Sequence, residues 1–350
     1  MIKSAMLFNS RIIRTIPFLL VFFLFFSCKT ESVESLQLKK LYKLLESGKL
    51  TEESHFSVMN QISELLLNSN NQDNLILFLT ENVNNNPDDK YNAYWLLMTA
   101  YAYQKKGADP VAELIFQRIL KNYDDLIVKG KSIHLRCLQI LIQISKSPED
   151  KIYYFTQLIS RFSSQVNKTE LYFRLAMEYE KLAEWNQVLK AYSDFLQQPD
   201  AAEIQIAGVP DAYSKARNLV EFNKSSKSWT FESLDALVAA VKRSISWGDY
   251  NTLEKYRSEV NFFSMSWRQD ETQKNSIANF KMRDFMLGNR IRYSQELDPS
   301  STPNEAFLRT WGWSSYVNVW YLYFRKVNFP LDPNIHGQWE WAGIYYGEKL

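Results

Sequence analysis

Glycine is scarce in this chain, 10 residues in 350, against a usual share of about 7%. That leaves little material for phosphate-cradling loops, and no P-loop, GxGxxG turn or GxSxG elbow occurs. Histidine is limited to His55, His134 and His336, far apart and outside any HExxH-like helix. Cysteine is limited to Cys28 and Cys137, without a disulfide framework or zinc spacing. Long apolar runs are missing too, since none reaches the ~18–20 residues a helix needs to cross a bilayer. The common sequence-readable catalytic and metal sites are therefore excluded. The chain is expected to be non-enzymatic, with no cofactor and no metal.

The N-terminus also lacks acid. Lys3, Arg11 and Arg14 precede the first carboxylate, Glu31. Between them lies the 11-residue apolar run Ile16–Phe26 (IPFLLVFFLFF), followed at once by Ser27-Cys28. Such a run has the length of a signal-peptide core rather than of a membrane span. With its cysteine it resembles a bacterial lipoprotein signal, in which cleavage precedes the cysteine and the thiol takes a diacylglycerol. That resemblance implies removal of residues 1–27, lipidation of Cys28 and anchorage in the bilayer of a bacterial cell envelope through acyl chains. Phe25 and Phe26 depart from the family pattern, which usually carries Leu and a smaller residue there. An uncleaved anchor and a simple secreted protein are the alternatives. Lys29 follows the cysteine where the inner-membrane retention signal of that export system is Asp, so the outer membrane is expected.

Without residues 1–27 the balance is 38 basic to 39 acidic residues. This near-neutrality offers no electrostatic footprint for nucleic acid. The remaining 323 residues suggest two domains. Residues 28–50 read as a tether and first helix, with Leu38, Leu41 and Leu45 on one face and Gly48 as its stop.

From residue 51 to 222 the pattern is helix after helix with short polar breaks. Segments at Glu52–Leu67 and Leu75–Val83 are followed by Tyr91–Lys105 with Pro110–Asn122, Lys131–Ser145 with Pro148–Phe162, and Thr169–Leu182 with Glu184–Gln198. The pairs recur roughly every 39 residues. In Tyr172-x2-Leu175-Ala176-x2-Tyr179, followed by Val188-x3-Tyr192 and Pro199, the spacing resembles a tetratricopeptide repeat. Tyr94-x2-Leu97-Met98-x2-Tyr101 with Ala112-x3-Phe116 is similar if its turn is two residues longer. Small Ala176 is expected to let paired helices approach, with Tyr179 and Tyr192 filling the seam. The resemblance covers about half the chain and implies a mainly α fold, a TPR-like α-solenoid that binds envelope protein partners. An irregular helical bundle is the alternative.

Pro199, Gly208 and Pro210 surround one more helix near Ala212–Phe222, and the polar run Asn223–Ser228 reads as a linker. Residues 229–350 are expected to form a smaller α+β domain with an antiparallel sheet. Thr230 is its expected helix cap, and Trp247-Gly248-Asp249 separates two opening helices. The stretch from Asn261 to Leu287 has no clear period. Strands are expected at Phe307–Trp313, Val317–Val327 and Gln338–Tyr346, the middle one central and the last two a hairpin. This element order resembles a nuclear-transport-factor-2-like cone, and a generic α+β cap fits equally.

Thirteen of the 41 residues from Ala306 to Tyr346 are aromatic. Trp311, Trp320, Trp339, Trp341 and Tyr345 are candidate ligand-lining residues for a lipid, sugar or peptide. The core of a small sheet has the same sequence appearance. Trp339 and Trp341, two apart, share one face, which leaves Glu340 on the other, where exposure is expected. His336 lies beside Asp332 and Glu340, and cone-shaped relatives include enzymes that use His and Asp as acid and base. A solvated loop histidine is the plainer reading. The leading function is thus a lipid-anchored protein-binding scaffold, which resembles lipoproteins that assist β-barrel assembly or accompany transporters. The alternative is a small-ligand carrier or sensor built on the C-terminal domain.

Overall fold

A computed structural model describes residues 33–267 and 281–349. Cys28 and the segment expected to be its signal lie outside the described residues. No helix among the described residues is long and apolar enough to cross a membrane. The chain divides into two compact units, one ending at Asn82 and one beginning at Val83.

The first unit holds α1 (Val33–Glu46), α2 (Glu52–Asn68) and most of α3 (Gln72–Asn85). Gly48, with φ +63°, stops α1 as expected. Thr51 then starts α2 by accepting the Ser54 N–H, and Glu52 and Glu53 sit in the dipole-favoured first turn. Leu41, Ile62, Leu66, Leu75 and Leu79 are buried at helical spacing, and Tyr42 meets Phe78 edge-on at 5.5 Å.

The second unit opens with α4 (Asn92–Lys105), α5 (Asp109–Asn122), α6 (Ile133–Ile144), α7 (Pro148–Arg161), α8 (Lys168–Lys181), α9 (Trp185–Leu196) and α10 (Ala212–Lys224). Each packs on its neighbour in chain order. Ala176 and Ala191 are buried as the small residues of the α8–α9 pair. The seam differs from expectation in one respect. Phe173 and Tyr192 fill it, 5.2 Å apart, while Tyr179 stays half-buried at its edge. Lys131 and Ser132, expected inside a helix, instead form β2 (Lys131–Ser132), antiparallel to β1 (Ile127–Val128). The reason is local: Lys129 and Gly130 both take positive φ, the twist a two-residue hairpin turn requires. Ser132 then caps α6 by accepting the Leu135 N–H at 2.9 Å.

Beyond the linker stand α11 (Leu234–Trp247), α12 (Tyr250–Lys255), β3 (Phe263–Ser266), α13 (Met282–Met286), β4 (Arg292–Tyr293), β5 (Glu305–Trp311), β6 (Val319–Lys326) and β7 (Trp339–Tyr346). Thr230 is not the cap. Phe231 exchanges backbone hydrogen bonds with Trp339 at 2.8 and 2.7 Å, which delays the helix until Ser233 accepts the Ala236 N–H.

The sheet order is β3-β7-β6-β5-β4, with β6 central and β6–β7 an antiparallel hairpin. The expectation of a wholly antiparallel sheet needs correction, because β3 runs parallel to β7. That strand comes from the stretch without a clear period, and the parallel pairing follows from a long crossover that local sequence does not encode. One face packs Leu308, Leu322, Phe324 and Ile344 against Leu237, Val241 and Ile245 of α11. The other gathers Phe263, Met265, Phe307, Tyr321 and Tyr323. Gly343 permits this second cluster, since a Cβ there would stand 2.7 Å from the Phe263 ring.

Candidate functional site

Helices α6 and α8 frame an open groove of about 630 Å³. Its floor is apolar because α7 turns Phe155 and Leu158, both 2% exposed, toward it. Half-buried Ile142 and Leu171 continue that floor along α6 and α8. Polar side chains form the walls, notably Gln139 and Gln143 from α6 and Arg174 and Lys181 from α8.

The wall charges are partly satisfied within α8. Arg174 pairs with Glu170 at 2.7 Å, and Lys181 with Glu178 at 2.7 Å. Arg136 has no carboxylate partner among the described residues. It donates instead to the Tyr101 hydroxyl at 2.9 Å and lies over that ring. Burial pushes the Tyr101 phenol up, and the Arg136 hydrogen bond and charge pull it back. Lys151 adds a further cation. The groove thus combines an apolar floor, two amides that both donate and accept, and an excess of cationic donors. That is binding chemistry for an extended backbone with carboxylate or amide side chains.

A second concavity of about 510 Å³ lies between α10 and the β6–β7 hairpin. Phe222 of α10 meets Phe329 of the hairpin loop at 4.7 Å and Trp229 at 5.7 Å. Glu180 pairs with Lys215 at 2.7 Å on the helical side. On the sheet side Glu340 pairs with Arg325 at 2.8 Å. Glu340 was expected to be exposed, but it is 3% exposed. Alternation does turn it away from Trp339 and Trp341, yet that second face is covered as well, and Trp229 donates to its other oxygen at 3.0 Å.

The aromatic candidates divide between locations. Trp320, Trp339 and Trp341 lie in the helix-facing core, where Trp320 stacks on Trp313 at 4.5 Å. Tyr345 belongs to the opposite face and stacks on Trp267 at 4.3 Å. Trp311 is half-buried at the end of β5 under the Arg309 guanidinium. His336 is exposed, and its Nδ1 accepts the Phe329 N–H at 3.1 Å, closing the hairpin loop. Cys137 is fully buried, and burial pushes its thiol well up.

Sequence reasoning missed the Trp229–Glu340–Arg325 set. Its signal was present only in the hairpin register, which sets Arg325 opposite Glu340. No protein-family model matches the chain, and no curated protein matches it significantly.

Proposed function

We propose that this protein is a non-enzymatic scaffold of the bacterial cell envelope, held to the membrane by acylated Cys28, whose stacked helices form a TPR-like α-solenoid. In this reading the groove over α6 and α8 holds an extended segment of an envelope protein partner. The observation that carries it is that groove, with its apolar floor between amide and cationic walls. The chain-order packing of α4 to α10 supports the solenoid, because paired helices that touch only their neighbours bury a continuous core and leave one long face to a partner. The short apolar run before Cys28 supports the anchor.

Chemical crosslinking in native membranes tests the proposal, using the full chain and a Gln139→Glu/Gln143→Glu variant. A partner captured by the parent and lost from the variant is the expected result. An identical set of crosslinked proteins from both chains contradicts it.

A second reading, carriage of a small ligand, is favoured by the cleft between α10 and the hairpin, which the Phe222 and Phe329 rings line together with Lys215, Lys326 and Arg325. A panel of lipids, sugars and peptides that leaves tryptophan fluorescence unchanged removes that reading.

A further inference from the structure

One end of the C-terminal domain exposes large apolar side chains on three separate turns. Trp247 is 78% exposed, Leu287 65% and Tyr316 97%, with Val317 beside Tyr316. The contacts beneath them bring the three turns together. Ser246, next to Trp247, lies 2.8 Å from the Tyr293 hydroxyl. Arg292 pairs across the ladder with Trp311, where β5 leads into the Tyr316 turn. Asn289, close behind Leu287, donates to the Trp313 carbonyl at 2.9 Å.

Isolated exposed apolar residues are ordinary, but three large ones gathered at one end mark an interaction surface. The same end carries exposed Arg243, Arg283, Arg290 and Arg292, none of which forms an ion pair with a described residue. Three carboxylates accompany them. Glu254 accepts the Met282 N–H and pairs with Arg257, both at 2.7 Å. Asp249 is committed to capping α12 through the Thr252 N–H, and Asp284 is exposed. The balance is cationic.

Protruding tips suit a deformable partner better than a rigid one, because each would need its own pocket on a protein surface. Indole and phenol rings settle at the headgroup level of a bilayer, leucine reaches the acyl boundary, and guanidinium groups bind phosphate. We propose that this end of the domain docks on the surface of an anionic phospholipid bilayer. The contact is independent of acylation at Cys28 and of the groove over α6 and α8.

The test uses the full chain with Tyr316→Cys carrying an environment-sensitive nitrobenzoxadiazole probe, corrected for the identically treated parent. Tyr316 is exposed, so the label does not disturb packing. Vesicles of phosphatidylcholine, with and without phosphatidylglycerol, are compared. The expected result is a rise of about twofold in emission on the anionic vesicles only, reversed by high salt and weakened by Arg290→Gln with Arg292→Gln. Emission unchanged on anionic vesicles overturns the proposal, as does an equal rise from a probe at exposed Asn186 of α9. A rise that follows protein concentration without vesicles assigns the surface to a second copy and also overturns it.

Discussion

The Trp229 indole donates to Glu340 at 3.0 Å across 111 residues of sequence, and both groups are buried. The bond ties the end of the polar linker to β7. With Arg325 on the other carboxylate oxygen, it fixes where the C-terminal sheet begins. Removing the carboxylate leaves a buried N–H without its acceptor, which costs on the order of 1–3 kcal/mol. Arg325 keeps 31% of its side chain exposed and can rehydrate, so its share is small. Glu340→Ala is therefore expected to destabilise the chain by about 2 kcal/mol in urea unfolding, and Glu340→Gln, which retains an acceptor, by less. Equal stability of Glu340→Ala and the parent contradicts the tie.

His134 gives the helical array a pH dependence. Its Nε2 lies 3.0 Å from the Tyr123 carbonyl and its Nδ1 2.7 Å from Arg161. The folded ring is thus neutral, donating through Nε2 and accepting through Nδ1. Burial lowers its pKa below the ordinary 6.5, with Arg161 acting in the same direction and Asp125 opposing. The unfolded chain consequently takes up the proton first, and stability falls as pH drops through and below that ordinary value. Thermal unfolding of the parent and of His134→Gln between pH 8 and pH 5 checks this. The parent is expected to lose more stability on acidification, and parallel curves contradict the assignment.

Cys137 separates folding from lipidation in one titration. Its thiol is fully buried and pushed up by desolvation, so the native chain is expected to leave it unlabelled by a thiol reagent. Unfolding releases it. If Cys28 is acylated, the unfolded mature chain yields one reactive thiol, and two show an unmodified Cys28.

Much of the helical region was legible because its cues are local. Pro148 at the start of α7, Gly48 after α1 and the apolar spacing of α8 each act within a few residues. The hairpin β6–β7 was legible for the same reason, through its two aromatic runs around a proline-broken joint. What local sequence did not carry was pairing at a distance. The parallel docking of β3 beside β7 depends on Phe263 finding the space that Gly343 leaves. Glu340 looked like a surface residue because alternation names a face without saying what covers it. The groove presents the same difficulty, since Gln143 and Arg174 come from different helices and line one groove only through stacking.

Site-specific photo-crosslinking from inside the groove is the most direct test of a scaffold that works through α6 and α8. A benzophenone amino acid replaces Gln143 in one strain and Asn186, exposed on α9, in another, and both are irradiated in living cells. The account predicts a single discrete adduct from position 143 and none of the same size from position 186. No adduct from 143, or the same adduct from both positions, contradicts it.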